Sequence, residues 1–203
     1  MDQAAWKLNP PILRGRDIKR YSYDFADLWL INTHNGIKEK GIKPIDIADY
    51  PAVKKHLDTY YPQLEKRADK GETPYNLRNC AYMEDFYKQK IMYSEIVREP
   101  QFYLDEEGEF YPEATTFIMT GDNLEYLYHL LHSKPVTYFF KTFYAGGGLG
   151  NEGYRYKKAF IEKLPIPKNN KNLDINSENA DNIIYNLYDL NDKEIEFIEN
   201  QYS

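Results

Sequence analysis

The sequence predicts an α+β fold: an antiparallel β body with helices, closed by a C-terminal α-hairpin. Three observations predict it. Short runs of aromatic and β-branched residues crowd between Lys90 and Thr120 and are separated by turn signals. Helical spacing of apolar residues stands before and after that region. The acidic tail then carries two further helical patterns, the second with a complete set of start signals.

Taken in order, residues 1–20 read as extended, with Pro10-Pro11 leading into a basic run, and 21–31 read as a strand ending Leu28-Trp29-Leu30-Ile31. Asn35-Gly36 is a turn signal. Pro51 suits the first turn of a helix, along which Val53, Leu57, Tyr61, Leu64 and Ala68 keep helical spacing. Pro62 should kink or divide that helix, and Gly71 should end it. Strands are expected at Lys90–Val97, Phe102–Leu104, Glu109–Tyr111 and Thr115–Thr120, with turns at Glu107-Gly108 and Gly121.

Asp122 with Glu125 forms a capping-box pattern before a helix whose face is Leu124, Leu127, Tyr128 and Leu131. Pro135 opens the next helix, with Val136, Phe139, Phe140 and Phe143 on one face and Gly146-Gly147-Gly148 as its end. Lys168–Ser177 is polar and Asn-rich, a linker pattern. Ala180, Ile183, Ile184 and Leu187 line a tail helix. Asn191 and Glu194 cap the last one, with Leu190 and Ile195 in the positions of a hydrophobic staple. The expected division is a body over 1–168 with a helical hairpin, 169–203, packed on the same unit.

The formal net charge of −6 argues against a generic nucleic-acid binder, but its distribution matters more. From Lys171 to Ser203 eight carboxylates face two lysines, so the tail carries the whole imbalance and the rest of the chain is neutral. That neutral part holds two basic stretches. One is Leu13-Arg14-Gly15-Arg16-Asp17-Ile18-Lys19-Arg20-Tyr21, and the other is Tyr154-Arg155-Tyr156-Lys157-Lys158 leading to Leu164-Pro165-Ile166-Pro167. Guanidinium and ammonium groups suit phosphate oxygens, and arginine also suits the edge of guanine. Glycine lets a backbone approach a ligand closely. The two stretches therefore point to a DNA-facing surface.

Other patterns carry less. Twenty tyrosines supply amphipathic contact surface, most of it expected to be half-buried core. One cysteine, Cys80, rules out an internal disulfide and fits a reducing cytoplasm. No apolar run is long enough to span a membrane, and the first residues lack a signal-peptide core. Asn9-Pro10-Pro11 is followed by Ile12 where an adenine-gripping motif needs an aromatic. Gly146–Gly150 lacks the spacing of a phosphate loop and reads as a connection. His129 and His132 stand three apart on a helix with no partner cluster, which favours interfacial or surface histidines over a metal site.

The order of these motifs resembles the TaqI-type C-terminal specificity domain. That domain is the target-recognition part of adenine-N6 DNA methyltransferases and of fused type IIG restriction–modification enzymes. The matching residues are Arg14-Gly15-Arg16-Asp17-Ile18-Lys19-Arg20-Tyr21, the helix from Tyr50-Pro51 to Leu64-Glu65-Lys66-Arg67, and Pro74-Tyr75-Asn76-Leu77-Arg78. Lys90-Ile91, Thr115–Thr120, Leu127–Ser133 (with His132 where the family has Asn) and Leu164-Pro165-Ile166-Pro167 follow, and the tail continues the likeness.

The resemblance implies a twisted β-helix-like body. It also implies a chain that reads double-stranded DNA while a methyltransferase domain of the same parent, with or without a nuclease, performs the chemistry. S-adenosylmethionine and Mg belong to that parent; none is expected in this chain, and neither is a catalytic residue. On this reading Arg14, Arg16, Lys19, Arg20, Lys157 and Lys158 meet phosphates, and Arg78, Tyr154 and Arg155 meet base edges. The residues alone leave two alternatives open: a protein–protein module with a tyrosine-rich surface, and a stand-alone enzyme of another type.

Overall fold

The computed structural model describes residues 8–144, 153–168 and 173–202. The glycine-rich segment 146–150 and the middle of the expected linker lie outside the described residues. Two compact units make up the chain. Met1–Ile12, Asp27–Tyr87 and Glu109–Tyr111 form the first; Leu13–Ala26, Lys88–Gly108 and Pro112–Ser203 form the second. The chain passes from the first to the second within β1 (Ile12–Leu13).

In unit 1 the Pro10-Pro11 segment runs antiparallel to Leu28–Asn32. Ile12 N–H donates to Leu28 O, Leu30 N–H to Pro10 O, and Asn32 N–H to Leu8 O. Prolines suit this place because it lies outside a continuous ladder. Pro51 and Pro62 act as their positions predict. Each stands in the first turn of its own helix, α1 (Pro51–Asp58) and α2 (Tyr61–Lys66), so Pro62 divides the helix rather than kinking it. Val53, Leu57, Tyr61 and Leu64 are all half-buried.

Asn76 ties the rest of unit 1 together. It is 1% exposed. Its amide nitrogen donates to Ile45 O at 2.9 Å, and its Oδ1 accepts from Thr73 N–H at 3.2 Å and Thr73 Oγ1 at 2.6 Å. Its own carbonyl accepts from Gly71 N–H and from Arg67. Met83, Phe86, Phe110 and Tyr111 are buried, with the Phe86 and Tyr111 rings 4.7 Å apart.

Unit 2 is built on a three-stranded antiparallel sheet. Its members follow the hairpin of β2 (Ile18–Lys19) and β3 (Ser22–Tyr23) in the chain. The central strand β4 (Lys90–Ser94) pairs with β6 (Phe102–Asp105) on one side and β8 (Thr116–Met119) on the other. Between them come β5 (Ile96–Val97) and β7 (Tyr111–Pro112). Lys90 and Asp105, opposite each other in register, are both buried and form an ion pair.

Helices α3 (Leu124–His132) and α4 (Lys134–Phe143) follow, then β9 (Tyr154–Arg155), which pairs with β5, and the short α5 (Lys158–Ile161). The tail forms α6 (Ala180–Leu187) and α7 (Asp192–Glu199). Ile91, Phe102, Leu130, Phe140, Tyr156 and Ile184 share one apolar core. Charge adds to this packing where the hairpin of α6 and α7 meets α4: Asp181 accepts the Lys134 N–H at 2.7 Å, and Glu199 takes the Lys134 ammonium and the Tyr185 hydroxyl. The architecture is a mixed α+β fold with small antiparallel sheets.

Several expectations need correction. The strand over 21–31 shortens to β3, because Tyr21 and Asp27 take left-handed φ of 60° and 54° and bend the chain. The strand over Lys90–Val97 breaks into β4 and β5 at Glu95. Asp122 does not cap α3; Asn123, itself left-handed, holds the N-cap position without a side-chain bond. Phe143 is exposed rather than on a buried face. The Asn191–Glu194 capping box forms as read. Leu190 and Ile195 are only half-buried, and the buried anchor of α7 is Ile198.

Candidate nucleic-acid interface

The two basic stretches of unit 2 both reach the turn after β4. Gly15 is buried against it, and a Cβ there would lie 2.8 Å from Ser94 Oγ and 3.0 Å from Thr115 O. The glycine therefore serves close packing inside the chain. At the same turn Arg155 pairs with Ile96 in the β5–β9 ladder and its guanidinium bonds Glu95 at 3.2 Å. Tyr156 N–H donates to Glu95 O. The Arg14–Arg16 and Arg155–Tyr156 segments thus share the Ser94–Ile96 turn as a neighbour.

Their cations have different fates. Arg14 is committed: its Nε and Nη2 donate to both oxygens of Asp17 at 2.8 and 2.7 Å, and its backbone N–H donates to Asp17 as well. These bonds to Arg14 hold the nearly buried Asp17 carboxyl below the usual range. Arg20 donates to His132 O at 3.0 Å, so a guanidinium caps the C-terminal end of α3.

Lys19 donates to Arg16 O and lies 3.6 Å from Asp24. Lys158 lies 3.5 Å from Glu162, with both side chains well exposed. Arg16 is exposed and has no ion pair among the described residues. Lys157 is exposed, with its ammonium 6.0 Å from the Phe160 ring centroid.

Tyr154, expected at a base edge, is 4% exposed. Its hydroxyl lies 3.3 Å from that of Tyr156, burial pushes its pKa up, and the Lys141 ammonium sits over its ring. It supports Arg155 from within the core. Arg78, in unit 1, is exposed at the end of the Asn76-anchored segment and has no ion pair among the described residues.

Of the two histidines read as surface or interfacial, His129 is half-buried and His132 needs the opposite description. His132 is 1% exposed. Its Nδ1 lies 2.9 Å from Tyr128 O, so that nitrogen carries the proton, and Nε2 accepts the Phe102 N–H at 3.4 Å. Tyr21 stacks on the ring at 3.9 Å, which holds Tyr21 in its left-handed conformation. Burial drives the His132 pKa down to about 3. A third basic stretch, Lys38-Glu39-Lys40-Gly41-Ile42-Lys43, contains no arginine; its signal is three lysines close together around the turn glycine Gly41.

The TaqI-like C-terminal specificity domain model matches residues 10–166, most of the chain. The chain belongs to the TaqI-like C-terminal specificity domain family. No curated protein matches it. The matched span takes in both basic stretches, the Asn76 segment, the three-stranded sheet and α3–α4.

Proposed function

We propose that this specificity domain reads a base sequence in duplex DNA and holds the duplex for adenine-N6 methylation by a methyltransferase domain of the parent enzyme. Where the parent also carries a nuclease, it directs cleavage too. The family match across residues 10–166 carries the reading. Adenine must leave the helical stack to be methylated, so a domain that fixes register on the duplex is a physical requirement of the reaction. The twisted β-helix-like winding implied by the family belongs to the same proposal, and the small antiparallel sheets are compatible with it.

Phosphates fall to Arg16, Lys157, Lys158 and Lys19. Arg155 and Arg78 meet base edges, and Tyr154 backs Arg155. Arg14 and Arg20 keep their intramolecular partners, and their contribution to DNA is through field rather than contact. S-adenosylmethionine and Mg belong to the catalytic domains. Among the described residues no group of three or more His, Cys, Asp and Glu gathers in a way that could hold a metal. No helix of the described residues is long and apolar enough to cross a membrane.

Selection from a random duplex pool tests the reading. The domain should enrich one short motif at low salt and, with radiolabelled S-adenosylmethionine, transfer no methyl group. A pool that stays random rejects sequence recognition. Methyl transfer abolished by a point substitution in this chain rejects the non-catalytic assignment.

A further inference from the structure

In unit 1 residues 35–44 fold back into a small, stiff loop. Gly36 has φ 69°, and a Cβ there would lie 2.2 Å from Ile42 O, so the base of the loop admits only glycine. His34 Nδ1 accepts the Gly36 N–H, and Ile37 and Ile42 exchange backbone hydrogen bonds of 2.9 and 3.1 Å. The tip is open: a Cβ on Gly41 would meet nothing within 4 Å. Between this loop and Asn79–Ala81 lies a concavity of about 970 Å³.

Its chemistry is biased towards donors. The loop carries three lysines against Glu39, with Glu72 across from it. Lys40 is paired with Glu84, whereas Lys38 is exposed and has no ion pair among the described residues. Asn35 accepts the Glu72 N–H and donates its amide to Asn79 Oδ1 at 2.5 Å. That bond uses the Asn79 carbonyl and leaves its NH₂ as the group to offer. Arg78, exposed, precedes it on the segment fixed by Asn76.

An ammonium, an amide NH₂ and a guanidinium on a fixed backbone match surfaces made of acceptors. In duplex DNA these are the phosphates and the O6/N7 edge of guanine.

We infer that the Ile37–Lys43 loop and Arg78-Asn79 form a second DNA-reading element, in which Lys38 meets a phosphate and Arg78 with Asn79 meets a guanine edge. This rests on the DNA reading above and adds an element to it. Cys80, the one cysteine of the chain, lines the concavity and serves as a reporter.

The test uses the full chain and the duplex that the wild type selects. Arg78→Lys keeps the charge but loses the fork, and should weaken binding to that duplex about 5- to 150-fold while leaving random duplex within about twofold. Lys38→Ala should weaken both alike and flatten the salt slope by about 0.9. The selected duplex should slow iodoacetamide alkylation of Cys80. Far-UV circular dichroism checks that these exposed substitutions leave the fold intact. The inference is overturned if Arg78→Lys discriminates as the wild type does, if Lys38→Ala leaves the slope unchanged, or if the duplex leaves Cys80 alkylation unchanged. A wild type that binds no duplex at low salt overturns the DNA reading itself.

Discussion

His132 and Lys90 show why single residues of this chain matter beyond their type. His132 is neutral in the fold because burial depresses its pKa to about 3, while the unfolded chain protonates near 6.5. The unfolded state therefore binds more protons between those values, and stability rises with pH across that window by up to about 1.4 kcal/mol per pH unit for this group. His34 and His129 are shifted the same way by burial. His132→Asn should reduce the slope of unfolding free energy between about pH 4.5 and 6.5 without abolishing it. An unchanged slope in urea titrations would show that His132 is not buried as described.

Asp17 and Glu199 act lower on the scale: their carboxyls are held down by Arg14 and Lys134, and that stability disappears as pH falls below the normal carboxylate range. Lys90 makes the complementary point. Lys90→Ala takes the ammonium away from the buried Asp105 carboxyl, and should cost about 3–5 kcal/mol; the double replacement Lys90→Met with Asp105→Leu should cost much less.

Elements were legible where their signals were local. The capping box of α7, the proline starts of α1, α2 and α4, and the strand between Lys90 and Ser94 all follow from neighbours in sequence. The failures trace to distant partners. The bend at Tyr21 depends on a histidine ring brought from α3, and the burial of Ile198 rather than Ile195 depends on how the hairpin meets α4. For α7 the consequence is measurable. Asn191→Ala should cost about 1 kcal/mol, because two backbone N–H groups of the first turn go without their acceptor. Ile198→Asp should lower the melting temperature more than Ile195→Asp does. The reverse order would mean that α7 is rotated from the orientation described.

For the molecule as a whole, charge explains how an acidic chain can belong to a DNA-reading family. The net negative charge sits in the tail, where Asp181 and Glu199 are used to dock helices. The sequence alone located the basic stretches but could not sort their cations, because pairing depends on which groups the fold brings together. Arg14 is taken up by Asp17 and Arg20, though exposed, donates to His132 O, while Arg16 and Lys157 are exposed without an ion pair among the described residues. Tyr154 was legible as an aromatic beside an arginine, but not as buried.

Phosphate binding by the exposed cations of unit 2 is the core of the proposed function. It is tested most directly by fluorescence anisotropy of a labelled duplex over a salt series, comparing the wild type with Arg16→Ala/Lys157→Ala/Lys158→Ala. For the wild type log K should fall linearly with log salt, and the triple variant should be shallower by roughly 0.9 for each phosphate it no longer neutralises. A triple variant with the wild-type slope and affinity would contradict it.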